Sequence, residues 1–333
     1  MERTTGERAA PSSLPGPSAA QTPPHVHIGA VVDSPGAVVD ALVPFVDDGL
    51  RAGDLIVLTT PPDTAAQILD ALGERGGPVQ SDQRITLVGL RPPDAFVLTR
   101  TYLERALGTG SGRLRIAAHV HRADDPLDWR EGERYEAAAN IVLAQAPLTA
   151  LCVYDRSSLA PAVVASVSRT HPLLLTDGAA GPNESYLDPR TFVRRLPLPR
   201  EPVESGRPVF AVDDVPTLAV LRHALGAVLA EHVPDEEQRG DLHLAASEVA
   251  ANAFRHGKRP VSGRLWSDSH ELICTITDSG TTFDNPLAGF IPAHGFDLGR
   301  GGMGLWLARK LFDHVDLFPG PTGFTVRLST LLR

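Results

Sequence analysis

From His25 to about residue 192, short continuous apolar runs alternate with longer stretches in which apolar residues recur at helical spacing. The runs "HVHIGAVVD", "DLIVLTTPP", "ITLVGL", "RLRIAAHV" and "LTALCVYD" read as buried strands. Between them, "AVVDALVPFVDDGLRAG", "DTAAQILDALGERGG", "DAFVLTRTYLERALGTG", "WREGERYEAAANIVLAQA" and "LAPAVVASVSRTH" read as helices. Strands without polar alternation, each followed by an amphipathic helix, predict an α/β domain with a parallel sheet covered on both faces.

The pattern breaks over residues 194–207, "RRLPLPREPVESGR", where proline and mixed charge predict a linker. Beyond it the order changes. Two long helices, "VPTLAVLRHALGAVLAEHV" and "DEEQRGDLHLAASEVAANAFRHG", precede the strands "VSGRLWSD" and "ELICTITD". A Gly-rich loop, a helix "MGLWLARKLFDHV" and a last strand "GFTVRLSTL" follow. Helices segregated from an antiparallel or mixed sheet predict an α+β two-layer sandwich. The expected division is a tail at 1–24, a first domain at 25–193, the linker, and a second domain at 208–333.

Composition narrows the function classes. The 333 residues suit two domains, and 42% hydrophobic with 21% charged residues suits globular cores. A net charge of -9 with no basic block argues against nucleic-acid binding. The first 24 residues, rich in Pro, Ser, Gly and Ala, lack the apolar core of a secretory signal and predict disorder. No apolar run is long enough to span a bilayer, so a cytoplasmic protein is expected. Cys152 and Cys274 both sit in strand-like runs and read as buried reduced thiols.

Three pieces of the second half carry chemistry. In "LAASEVAANAFRHG", Glu248 and Asn252 lie one helical turn apart on one face. An Asn oxygen suits a hard cation such as Mg²⁺, and a Glu beside it can deprotonate a nucleophile. On spacing alone the pair is an ordinary solvated helix face. In "TITDSGTTFDNP", Asp278 ends a strand and can accept from an exocyclic amine, while Gly280 lets backbone approach a planar ring. The same tripeptide is also good turn chemistry. In "DLGRGGMGLWLARKLFD", Gly299, Gly301, Gly302 and Gly304 surround a helix start, where free amides and the helix dipole favour phosphate. The long loop between Asp278 and Gly299 is a candidate lid.

Taken in this order, E-x-x-x-N on a helix, D-x-G at a strand end and G-x-G opening a helix resemble the boxes of the GHKL ATPase superfamily. The flanks "SEVAANAFRHG", "ITDSGTTFD" and "GGMGLWLARKLFDHVDL" resemble the anti-sigma-factor serine kinases of bacterial partner switching. The resemblance implies that Glu248 is the general base and that Asn252 holds Mg²⁺ for ATP. It implies that Asp278 meets the adenine amino group with Gly280 beside the ring, and that Gly302, Met303 and Gly304 serve lid and phosphate. Thr325 would line the adenine pocket, and Arg255 and Arg300 would touch phosphate. The implied partners are a sigma factor and a STAS-type anti-anti-sigma protein, and related kinase domains act as dimers, so a homodimer is expected. One departure stands out: Thr282 occupies the second Gly position of D-x-G-x-G, which opens the alternative of a catalytically weak nucleotide-binding scaffold. His223, the one histidine resembling a sensor-kinase phosphoacceptor, reads as an ordinary packing-helix residue.

The first half has no G-x-x-x-x-G-K-[ST]. Its "HVHIG", "YEAAANIVLAQAPLTALCVYD", "RTHPLLL" and "GPNESYLDP" resemble the MEDS sensory domain, which implies a RecA-like sheet, lacking a phosphate loop, used for sensing. Glu136, Tyr154 and Asp155 fall within that resemblance with no chemistry assigned. The pairs His25/His27 and His119/His121 would each point two imidazoles to one strand face, with Cys152 or His171 as further ligands for a metal. Without a third ligand at fixed spacing they read first as partly buried or surface histidines at strand ends.

Overall fold

Among the described residues, proline opens every α-helix of the first half. The computed structural model describes residues 24–121, 126–292 and 303–333. Within them α1 (Pro35–Ala52), α2 (Pro62–Leu72), α3 (Pro92–Ala106), α4 (Pro126–Val142), α5 (Pro161–Thr170) and α6 (Pro189–Arg195) all start on proline. At that position the ring pre-sets φ and the missing N–H costs no helical hydrogen bond. Ser34 caps α1 by accepting from the Ala37 amide at 3.3 Å, and Gly53 ends the helix at φ 79°.

These helices flank β1 (His25–Val32), β2 (Leu55–Thr59), β3 (Gln80–Ser81), β4 (Leu114–Val120), β5 (Leu148–Asp155), β6 (Leu173–Thr176) and β7 (Ala179–Pro182). The sheet order is β3-β2-β4-β5-β1-β6-β7. Its pairings are parallel except for the β6–β7 hairpin. One apolar layer joins α1 and α2 to one face, with Val38, Leu42, Val46 and Ile68 at its centre. Tyr102, Trp129, Val163 and Val167 cover the other. This is the parallel α/β domain expected. "ITLVGL" is not a strand: residues Gln83–Thr86 form a 3-10 turn and Leu87 takes φ 66°. Burial of Ile85 and Leu87 gave it the apolar content of a strand without the extended backbone.

In the second half β8 (Phe210–Val212), α7 (Leu218–His232), α8 (Glu236–His256), β9 (Val261–Ser267), β10 (Glu271–Asp278), α9 (Gly304–Leu311), β11 (His314–Gly320) and β12 (Gly323–Leu331) form an α+β layer pair. The antiparallel sheet has the order β11-β12-β10-β9-β8. One face packs on the helices through Leu221, Leu225, Leu242, Val249, Leu272 and Ile276. The predicted helix "MGLWLARKLFDHV" is shorter than its pattern: His314 and Val315 already belong to edge strand β11, which tolerates Pro319 because an edge needs fewer ladder donors.

The other sheet face carries charge. Asp316 and Arg327 are cross-strand partners, both almost fully buried, because α4 of the first domain lies over them. Asp316 accepts from Arg134 at 2.6 Å and from Arg327 at 2.6 and 2.9 Å. Arg130 donates to Glu201 at 2.9 Å, and Arg327 donates to Glu204 at 2.7 Å. Glu131 pairs with Arg134 and, at 3.3 Å, with Arg309 of α9. Residues 194–207 are therefore no loose spacer, since Glu201 and Glu204 close this network. Arg91 and Lys310 extend it by meeting Asp313 at 2.6 Å and Asp94 at 2.8 Å.

Burial alone would raise the Asp316 carboxyl, but Arg134, Arg130 and Arg327 outweigh it and hold it well below the usual carboxylate range. A carboxylate depressed in the folded state stabilises above the unfolded value, about pH 4, and that contribution fades as pH falls further. Urea unfolding of the full chain should therefore weaken steeply below about pH 4. At neutral pH, Asp316→Asn should cost about 3–5 kcal/mol by stranding buried arginines. The variant's stability should depend less on acid than that of the wild type.

Candidate functional site

A cavity of about 530 Å³ opens between α8, β10 and the start of α9. That size lies in the range of small-molecule sites. Asn252, Ala253, His256 and Gly257 line it from α8 and its end, Ile276 and Asp278 from β10, and Phe324 and Val326 from β12. The segment after β10 supplies Gly280, Thr282, Phe283 and residues through Pro292, and α9 supplies Leu305. The separated sequence pieces around Asn252, Asp278 and Gly304 thus meet at one place.

Close packing by glycine builds the polar end. Asp278 is buried, and its Oδ1 accepts from the amides of Lys258 at 3.1 Å and Gly280 at 2.6 Å. Its Oδ2 keeps no protein donor among the described residues and is the oxygen free for a ligand. A Cβ on Gly280 would lie 2.6 Å from Asp278 Oδ1, and one on Gly257 or Gly323 would collide with Asp278 itself. A Cβ on Gly304 would stand 2.5 Å from Asn252 Nδ2 and 3.3 Å from the Glu248 carbonyl. Only glycine lets α9 start against the turn of α8 that carries Glu248 and Asn252. The first amides of α9 have no intrahelical acceptor, so that end of the cavity favours an anion.

Other expected residues fall elsewhere. Glu248 is half-buried near this turn but does not line the cavity, and Arg222 of α7 holds its Oε1 at 3.4 Å. Arg255 is exposed and also outside the lining. Met303 precedes α9, and Thr282 is exposed at the cavity rim. Arg300 and Gly302, with Gly299 and Gly301, lie outside the described residues. The expectation for Thr325 is corrected by the pleat. Thr325 pairs with Thr277 at 2.8 Å between hydroxyls, on the face opposite Asp278, and the cavity-side residues of β12 are Phe324 and Val326. Sequence reasoning missed Phe324 and Gly323, which the β10–β12 register sets beside Asp278, and Gly257, which the packing of the α8 C-terminus brings against it.

The segment following Asp278 is tied to the first domain. Phe290 is buried with Phe96, Tyr135 and Ala138, its ring edge-on to Phe96 with centroids 6.3 Å apart. The Arg309 guanidinium lies over the Phe290 ring at 4.3 Å and donates to the Ala288 carbonyl at 2.8 Å. Burial pushes the Arg309 pKa down to about 10, with Glu131 opposing that shift.

Residues 26–172 match the family MEDS, the MEthanogen/methylotroph, DcmR Sensory domain, and residues 212–330 match the Histidine kinase-like ATPase domain. The chain is a MEDS domain fused to a histidine kinase-like ATPase domain. Two curated relatives agree with the two halves. The serine-protein kinase RsbW of Bacillus pumilus is 28% identical over 130 residues, covering 34% of this chain and 78% of RsbW. The transcriptional repressor DcmR of Methylorubrum extorquens is 29% identical over 139 residues, covering 39% of this chain and 52% of DcmR. The chain thus spans about half of DcmR. The cavity lies in the ATPase domain, and no helix among the described residues is long and apolar enough to cross a membrane.

Gly304→Ala should destabilise the ATPase domain by about 1–3 kcal/mol, because the methyl must displace Asn252 or α9. Gly240→Ala, on helix α8, meets nothing within 4 Å and should be neutral or stabilising by up to about 1 kcal/mol. Thermal melts of the two variants check the contrast.

Proposed function

We propose that the chain is an Mg-ATP-dependent serine/threonine kinase of the anti-sigma type. In this reading it sequesters a sigma factor in the cytoplasm, phosphorylates a STAS-type antagonist, and is biased by its MEDS domain. The observation that carries the reading is the convergence of Asn252, Asp278 and the start of α9 on one cavity, with Glu248 one turn away on α8. The match to a histidine kinase-like ATPase domain and the likeness to a serine-protein kinase support it.

Asp278 Oδ2 would accept from the adenine amino group while Gly280 leaves room for the ring. The α9 amides would receive phosphate oxygens. A Mg²⁺ ion would be held by the Asn252 carboxamide oxygen, whose side chain has no hydrogen-bond partner among the described residues. The ion would supply charge neutralisation at the phosphates. Glu248 would take the proton of the attacking hydroxyl, and Arg222 would set its orientation. A homodimer is the expected assembly.

A second reading, a nucleotide-binding switch with little turnover, draws on Thr282 at the rim and on Glu248 standing outside the cavity lining. Two variants separate the readings. Glu248→Ala should retain ATP affinity and lose about 10²- to 10⁴-fold in phosphoryl transfer to a STAS-type antagonist. Asp278→Asn should weaken ATP binding about ten- to hundredfold, the worth of a charge-assisted hydrogen bond. Equal phosphorylation by wild type and Glu248→Ala removes Glu248 as the base. An absence of transfer by wild type that nonetheless binds ATP selects the switch.

A further inference from the structure

The first domain holds a second constellation, distant in sequence and unrelated to the ATP reading. His27 on β1, Glu136 on α4, Cys152 on β5 and His171 at the end of α5 each turn one donor atom inward, and these atoms lie within 4.8 Å of one another. All four residues are buried. Parallel pairing of β1 with β5, with His27 beside Ala150 and Gly29 beside Cys152, puts the imidazole and the thiol on one sheet face. The helices α4 and α5 close over that face. Gly29 makes room for the fourth group, since a Cβ there would stand 2.8 Å from the His171 ring.

The hydrogen bonds around the cluster fix which atoms are free. Asn140 donates its amide to the carbonyls of Glu136 at 3.1 Å and Thr170 at 2.8 Å, so its Oδ1 is an acceptor. His27 Nδ1, 3.0 Å from that oxygen, must carry a proton, which leaves Nε2 as the ring atom that faces the cluster. His171 Nδ1 lies 3.1 Å from the Val167 carbonyl, which can only accept, so in the neutral ring its Nε2 is a bare lone pair. Tyr154 donates to Glu136 Oε1 at 3.0 Å and leaves Oε2 facing the cluster. Such outer bonds are how proteins orient histidine and carboxylate ligands on a metal.

The inward atoms are then short of protons. His27 Nε2 stands 3.3 Å from Glu136 Oε2 and 3.6 Å from Cys152 Sγ, and His171 Nε2 stands 3.8 Å from Glu136 Oε2. The thiol proton can serve His27, but His171 Nε2 is fully buried with no hydrogen-bond partner among the described residues. Ligands about 2.0–2.3 Å from a tetrahedral zinc ion stand about 3.3–3.8 Å apart; these three separations fall in that range, and all four atoms lie within 4.8 Å of one another.

We propose that His27, Glu136, Cys152 and His171 bind one divalent transition-metal ion of the zinc class. Two imidazoles, a thiolate and a carboxylate suit a borderline ion and not Mg²⁺ or Ca²⁺. Binding releases the thiol proton to solvent, after which two anionic ligands offset the dication and the buried site is neutral. Of the two H-x-H pairs, only His27 takes part. His119 instead meets Thr64 at 3.1 Å, and His121 meets the His119 carbonyl at 3.0 Å.

The test uses the full chain, stripped with a chelator and titrated with Co²⁺. One equivalent should produce the visible bands of tetrahedral cobalt together with a thiolate-to-cobalt charge-transfer band. Zn²⁺ should erase both, and millimolar Mg²⁺ should not. Cys152→Ser should lose the charge-transfer band, Cys274→Ser should keep it, and Asn140→Ala should bind about 10- to 100-fold more weakly. Wild type without a saturable one-equivalent spectrum overturns the proposal with no variant needed. Retention of the charge-transfer band in Cys152→Ser, or displacement of cobalt by Mg²⁺, overturns it as well.

Discussion

The architecture depends on one buried carboxylate. Asp316 sits on the outer face of the ATPase sheet and takes bonds from Arg134 of the MEDS domain and Arg327 of its own sheet, with Arg130 3.8 Å away. A lone charge in that position would be prohibitively costly, so the two domains cannot part without rehydrating the whole set. The network therefore specifies how the halves dock more than it adds to net stability. Glu201 and Glu204, from the segment between the domains, complete it and turn a proline-rich connection into part of the interface.

Helix α4 is where the molecule's parts converge. Arg130, Glu131 and Arg134 face the ATPase domain, Tyr135 and Ala138 pack around Phe290, and Glu136 points back into the MEDS core toward His27 and His171. Phe290 and Ala288 belong to the segment that leaves Asp278 and lines the cavity, and both touch Arg309. A displacement of α4 thus has a direct mechanical route to the cavity wall through packed rings and ion pairs. That is the kind of contiguous contact on which coupling between domains is built.

At the cavity, glycines do what side chains cannot. Gly257, Gly280 and Gly323 crowd Asp278, and Gly304 presses the start of α9 onto Asn252. The result is a carboxylate held by two backbone amides at one end and open helix amides at the other. In the proposed reading, a planar, polar ring and an anion would be recognised at opposite ends of one cavity.

Much of this was legible from residue order. The alternation of apolar runs and amphipathic helices in the first half follows from burial on both sheet faces, and it gave the parallel domain. The boxes around Glu248, Asn252, Asp278 and Gly304 are local patterns, so they could be read without coordinates. Pattern failed where burial and backbone conformation diverge, as at Ile85–Leu87, and where a strand edge hides behind a helix-like run, as at His314. Tertiary structure alone decided three things. Strand register put Phe324, not Thr325, on the cavity. Domain docking buried Arg134 and Asp316, whose pairing no local pattern marks. Helix packing over a parallel sheet brought Glu136 and His171 to His27 and Cys152. Each of these depends on contacts between residues far apart in the chain, and short-range periodicity carries no information about them.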